Sequence, residues 1–162
     1  MPHPGNEPGT SPFTAFNFSV EITPQGASAS LCTAAFAECD GLEMTHEVKT
    51  IREGGNNGVQ IRMSGPVSYG QLTLRRGMTS SLDLWDWFEQ ISLDPRNRAT
   101  GEVVMYAPDR RTRQATFVLE RCVPLALKGP PLNARDGSIA VEELRVGFEA
   151  LRRVRPEGGG RG

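Results

Sequence analysis

Histidine is almost missing from this chain. Of 162 residues only His3 and His46 are histidine. Cysteine is scarce too: Cys32, Cys39 and Cys122 are an odd number, with no C-x-x-C pair. A serine or cysteine nucleophile needs a positioned base, and a zinc site needs ligands at short, regular spacing. Neither pattern occurs. His3 lies in a proline-rich opening, and His46 shares an alternating run with Leu42, Met44 and Val48, where it reads as a packed residue. The Gly-rich stretch REGGNNG lacks the GK[ST] ending of a phosphate cradle. These gaps argue against an enzyme and against any metal or organic cofactor. The cysteines read as free thiols of a chain made in the cytosol.

An excess of one charge is also lacking. Lys+Arg number 18 and Asp+Glu 19, a net charge of −1, so nothing in bulk draws the chain to nucleic acid or an anionic membrane. The pairs Arg75-Arg76, Arg110-Arg111 and Arg152-Arg153 are not interleaved with aromatics as a single-strand groove would be. No apolar run approaches the ~20 residues of a membrane helix, so no stable membrane insertion is expected. The opening MPHPGNEPGTSP has no basic head followed by an apolar stretch, so it does not read as a secretory signal. Synthesis in the cytoplasm is the expectation.

What is present is alternation, punctuated by 18 glycines and 12 prolines. Four of those prolines fall within residues 1–12, which read as a disordered arm; the tail 155–162 reads likewise, leaving one domain over 13–154. FNFSVEI (16–22) places Phe16, Phe18, Val20 and Ile22 on one face. Residues 31–37 read as a short strand, and Asp40-Gly41 as a turn. LEMTHEVKT (42–50) alternates again. GVQIRMSG (58–65) follows the loop at 52–58 and is expected to break at Pro66. QLTLRRG (71–77), GEVVMYA (101–107) and RQATFVLERCVPLAL (113–127) complete the clear strands, with a bend, end or edge expected at Pro124. IAVEELRVGFEAL is ambiguous. Val141, Leu144, Phe148 and Leu151 suit a helix; Ala140, Leu144, Val146, Phe148 and Ala150 suit a strand with Glu142 as its exception.

One segment reads as a helix. In RRGMTSSLDLWDWFEQI (75–91), Leu84, Trp87, Phe88 and Ile91 fall at i, i+3, i+4 and i+7, with Ser80 as candidate N-cap and Asp83 near the capping-box position. The helix is expected over about 80–91, with Trp85 off the apolar stripe. The chain is thus mainly β: a compact antiparallel barrel or sandwich with one flanking α-helix. Strands with one polar and one apolar face suit a sheet with one wet side, as in a building block of a larger assembly or a β-lined channel.

At this point four blocks resemble, in order, the tube proteins of contractile phage tails and extracellular contractile injection systems. The first is FSVEI with AAFAECDGLEM, carrying F-x-E-x-x-G-L as Phe36, Glu38, Gly41 and Leu42. The second is TIREGGNN, with Ile51 where an aromatic is usual. The third is YGQLTLRRGMTSSLDLWDWF, with L-x-R-G and L-W-x-W. The last is CVPLALKGPPLNARDGSIAVEEL, closing with I-A-x-E-x-L. The match spans about residues 13–152.

The resemblance implies a tail-tube fold, a homo-hexameric ring lined by strands of every copy, and stacked rings driven through a target envelope by a contracting sheath. Partners would be the sheath, baseplate and cap proteins of a phage tail or phage tail-like particle. It also makes the last ambiguous run a strand. Under this reading Arg52, Glu53, Gly54, Gly55, Asn56 and Asn57 form an inter-ring stacking loop. Gln60, Arg62, Thr73 and Arg75 are lumen candidates. Asp83, Trp85, Asp86 and Glu89 lie on the outer helix, facing a sheath or a neighbouring subunit. The competing reading is a stand-alone β-sandwich module binding a small ligand or glycan through Trp85 and Tyr69.

Overall fold

A computed structural model of the chain describes residues 12–31, 36–52, 55 and 60–155. The expected arm and tail lie almost wholly outside the described residues, as do Glu53, Gly54, Asn56 and Asn57. The strands are β1 (Phe18–Pro24), β2 (Glu38–Asp40), β3 (Met44–Arg52), β4 (Gln60–Tyr69), β5 (Gln71–Gly77), β6 (Ala99–Tyr106), β7 (Arg113–Lys128), β8 (Val141–Gly147) and β9 (Ala150–Val154). The helix α1 (Asp83–Leu93) joins β5 to β6. All the pairings are antiparallel.

Seven strands follow the order β1-β6-β7-β8-β5-β2, with β9 also on β7. The long β7 serves both halves of this sheet. Its first part pairs with β6 and β9, and its second part with β8. The bend expected near Pro124 is real and begins at Arg121, whose φ is 54°; a register shift follows between Pro124 and Ala126. Proline has no N–H to give a ladder, so an irregular stretch is where a strand can hold one. The bend folds the two halves over one core. Val20 and Ile22 of β1, Val103 of β6 and Leu119 of β7 meet Leu72 and Leu74 of β5, Leu144 and Val146 of β8, and Leu84, Trp87 and Ile91 of α1.

Several expectations need correction. The strand expected at 31–37 lies largely outside the described residues; Leu31, Phe36 and Ala37 are described and are not strand, and β2 begins at Glu38. Phe16 precedes β1 and is exposed. Gly41 has a positive φ of 104°, and a Cβ there would meet the Gln71 carbonyl oxygen at 1.9 Å. The helix begins at Asp83 rather than at Ser80, and its N-cap Leu82 makes no side-chain capping bond. Asp83 takes over that work, accepting from the Leu84 amide at 2.9 Å. The final run is strand, β8 and β9, with Glu142 facing the core.

Pro66 does not break its strand. β4 runs through it because Gly65 and Pro66 together oppose Glu47, a bulge between the pairs His46–Val67 and Val48–Ser64. Gly65 suits the spot, since a Cβ there would lie 2.8 Å from the Glu47 carbonyl oxygen. β3 and β4 form a two-stranded sheet of their own. His46, read as packed, is exposed, with Nδ1 3.2 Å from the Gly65 carbonyl oxygen across the bulge.

Candidate assembly surfaces

The β3–β4 hairpin is the unusual surface. Every residue of β3 is exposed, and β4 is exposed except at Gly65 and Tyr69, which are half-buried. Its large apolar side chains are open to solvent: Met44 is 60% exposed, Val48 67%, Ile51 47%, Ile61 40%, Met63 50% and Val67 42%. An isolated two-stranded ribbon is marginal in water, and exposed strand edges invite further pairing. Arg52 ends β3, opposite Gln60. Of the expected loop beyond it, Gly55 is described, at φ 107° with open space around it. Gln60 and Arg62 share one face of the hairpin, because each pairs with a residue of the same β3 face, Arg52 and Thr50.

Thr73 and Arg75 lie apart from these, on the outer face of β5. Arg75 bridges two carboxylates, Glu143 Oε2 at 2.8 Å and Glu38 Oε2 at 3.0 Å. The Arg75 bond holds the Glu143 carboxyl below its ordinary range, and both acids raise the arginine's affinity for its proton. Thr73 opposes Arg145 two pairs along, on the same face. The structure therefore brings Gln60 and Arg62 together, and Thr73 and Arg75 together, as two separate patches.

On α1, Asp86 and Glu89 point to solvent as expected. Asp83 does not. It turns inward to Arg76, whose Nη2 donates to Oδ1 at 2.5 Å and Nη1 to Oδ2 at 3.2 Å. Arg76 Nε also donates to Glu142 Oε1 at 2.6 Å, and the two side chains are 4% and 1% exposed. Trp85 Nε1 donates to the other oxygen of Glu142 at 3.1 Å, and its ring lies against Gly129. The Arg76 guanidinium sits 5.6 Å from the centroid of Phe36. A buried charge is tolerable only when paired and hydrogen-bonded, and here β5, β8 and α1 each supply part of the set. Burial pushes the Asp83 carboxyl up, but Arg76, the Leu84 amide and Ser81 hold it below its ordinary value. Sequence reasoning missed this network. Its signal was there in Glu142, the charged exception on an apolar strand face.

Little here is arranged for chemistry. Among the described residues no group of three or more His, Cys, Asp or Glu could hold a metal. Burial pushes the Cys39 and Cys122 thiols up to about 11, far from the thiolate a nucleophile requires. No helix among the described residues is long and apolar enough to cross a membrane.

The described residues thus form a bent antiparallel sheet with one helix and a separate two-stranded hairpin. Residues 14–152 match the family model described as T4-like virus tail tube protein gp19. The chain belongs to that tail tube family and is a structural tube subunit. Solved structures agree on the fold. A chain of the anti-feeding prophage (AFP) baseplate superposes with a TM-score of 0.79 at 21% identity, covering 90% of this chain and 97% of that one. A chain of the PVC extracellular contractile injection system sheath–tube complex, in the extended state, gives 0.77 at 20%, covering 90% and 93%. A chain of the AFP tube-terminating cap gives 0.78 at 16%, covering 94% and 97%. No curated protein matches this chain.

Proposed function

We propose that the chain closes into hexameric rings that stack into the hollow inner tube of a phage tail or an extracellular injection particle. A sheath around this tube, a baseplate below and a cap above are its partners. The observation that carries the reading is the β3–β4 hairpin, exposed on both faces and along both edges among the described residues, a surface that assembly would cover. A head-to-tail contact repeated by rotation closes a ring and removes such edges. Support also comes from the structures of the same fold, whose chains belong to a baseplate, a sheath–tube complex and a tube cap.

In this reading Arg52 to Asn57 reach the adjacent ring, and Gln60, Arg62, Thr73 and Arg75 face the lumen. Asp86 and Glu89, with Trp85 beside them, face outward to the sheath or a neighbour; Asp83 is withdrawn from that surface because Arg76 holds it. The work is mechanical rather than catalytic, and the subunit is made in the cytoplasm before assembly. The stand-alone ligand-binding module is not favoured, since Trp85 is tied to Glu142 and Tyr69 packs on Phe148 with ring centroids 5.8 Å apart.

Electron microscopy of the purified protein tests the proposal. Rings or tubes with a central hole are expected. A strictly monomeric particle at high concentration would overturn it.

A further inference from the structure

The hairpin is apolar on both sides, but not at the same level. Cross-strand partners share a face. Near its base, Met44, His46 and Val48 of β3 lie on one face, opposite Tyr69, Val67 and Ser64 of β4. That face runs on from the chain's own core, because Tyr69 packs on Phe148. Towards the tip the same face carries Thr50, Arg52, Gln60 and Arg62, all polar. Its reverse carries Lys49 with Met63 and Ile51 with Ile61.

The Gly65–Pro66 bulge causes the exchange. Without it Ile61, Met63, Val67 and Tyr69 would all lie on one face of β4, as their odd spacing suggests. One extra residue reverses the alternation, so Val67 shares the face of Tyr69, which packs against the home core, while Ile61 and Met63 lie on the reverse face.

We propose that the tip face of Ile51, Ile61 and Met63 is the surface on which a second copy of this chain seats, while the opposite tip face stays in water. This rests on the tube reading and specifies its contact. Among the described residues the home core adjoins the other face, at Tyr69, and Ile51, Ile61 and Met63 stay exposed. The polar tip face bears Arg52 and Arg62, which make no ion pair among the described residues. Desolvating two such cations costs far more than leaving them wet. The occupant is a copy of this chain because the chain carries both parts of the joint. The hairpin offers strand edges beside an apolar face, and β1 and β2 end the main sheet with edges unpaired among the described residues. Lys49 can lay its stem along the apolar face and keep its ammonium at the rim.

The test compares full-length variants by analytical ultracentrifugation and electron microscopy, with circular dichroism to verify folding. Ile61→Asp with Met63→Asp is expected to keep the wild-type spectrum and melting temperature, since both positions are solvent-exposed in the lone subunit. Its assembly threshold should rise by about a hundredfold or more. Gln60→Ser with Arg62→Ser should assemble like wild type. If wild type assembles and the Ile61→Asp, Met63→Asp variant assembles equally well, the proposal is overturned while the tube reading stands. Loss of assembly in both variants would show both faces covered and would also overturn it. A wild-type chain that stays monomeric would instead sink the tube reading itself.

Discussion

Arg76 and Glu142 are the residues on which the position of the helix depends. They sit across β5 and β8 in register and bury a charge pair beneath α1. Removing one partner of such a pair leaves the other uncompensated, at a cost of about 3–5 kcal/mol. Arg76→Ala is therefore expected to destabilise the subunit by about that much in urea unfolding. Arg76→Met with Glu142→Leu should recover only part of the loss, because Asp83 and the Trp85 N–H then lose their partners. Asp83 adds a pH dependence whose sign is fixed. Its folded pKa lies below the unfolded value of about 3.9. Its contribution is therefore full above that value and lost as pH falls through the folded one. Asp83→Asn should be less stable than wild type at neutral pH, and the gap in melting temperature should close as pH falls below about 4.

At the scale of elements, α1 and the hairpin show opposite kinds of dependence. The helix lacks a side-chain cap, and what holds it is its buried face of Leu84, Trp87 and Ile91. Trp87→Ala should cost about 3–5 kcal/mol, measured by chemical denaturation, the usual toll of emptying a core aromatic site. The hairpin, by contrast, contributes little to the core of its own subunit. Its tip can change without unfolding the chain. Gly55 has φ 107° and nothing near its missing Cβ. Changing Gly54 and Gly55 to Val strains the tip backbone at Gly55 but reaches no core residue, so the subunit should stay folded with at most a small loss of melting temperature while ring stacking is blocked, read by electron microscopy as single rings in place of tubes. Normal tubes from that variant would mean the loop does not stack rings. Most of the long strands were legible from alternation, since period-two patterning depends on which residues share a face and needs no tertiary knowledge. The break at Pro66 was misread because proline chemistry only says where regular pairing is difficult. Whether a strand ends or bulges depends on the partner strand opposite, here Glu47.

For the whole molecule, the question is what covers the exposed surface. A chain with an ordinary core and a hairpin open on both sides has finished folding without finishing its pairing. Charge reversal on the helix, Asp86→Lys with Glu89→Lys, should leave rings intact and weaken sheath attachment in a co-assembly assay, because both acids are solvent-exposed and outside the buried network. Unimpaired sheath binding by that variant would remove the helix from the sheath contact.

The amino-acid order alone determined the class: mainly β with one helix, tail-tube in pattern, with scarce histidine and no metal spacing. Those properties follow from periodicity and inventory, which are local and readable along a line. Only the tertiary structure decided which way each charge points. Asp83 and Glu142 read as a helix-surface acid and an anomaly on a strand. In space they close on one arginine, because β5 and β8 pair side by side and α1 packs across them. The same holds for the hairpin's two faces. Their polarity is written in the sequence, but the single inserted residue that exchanges them acts only once two strands are laid together.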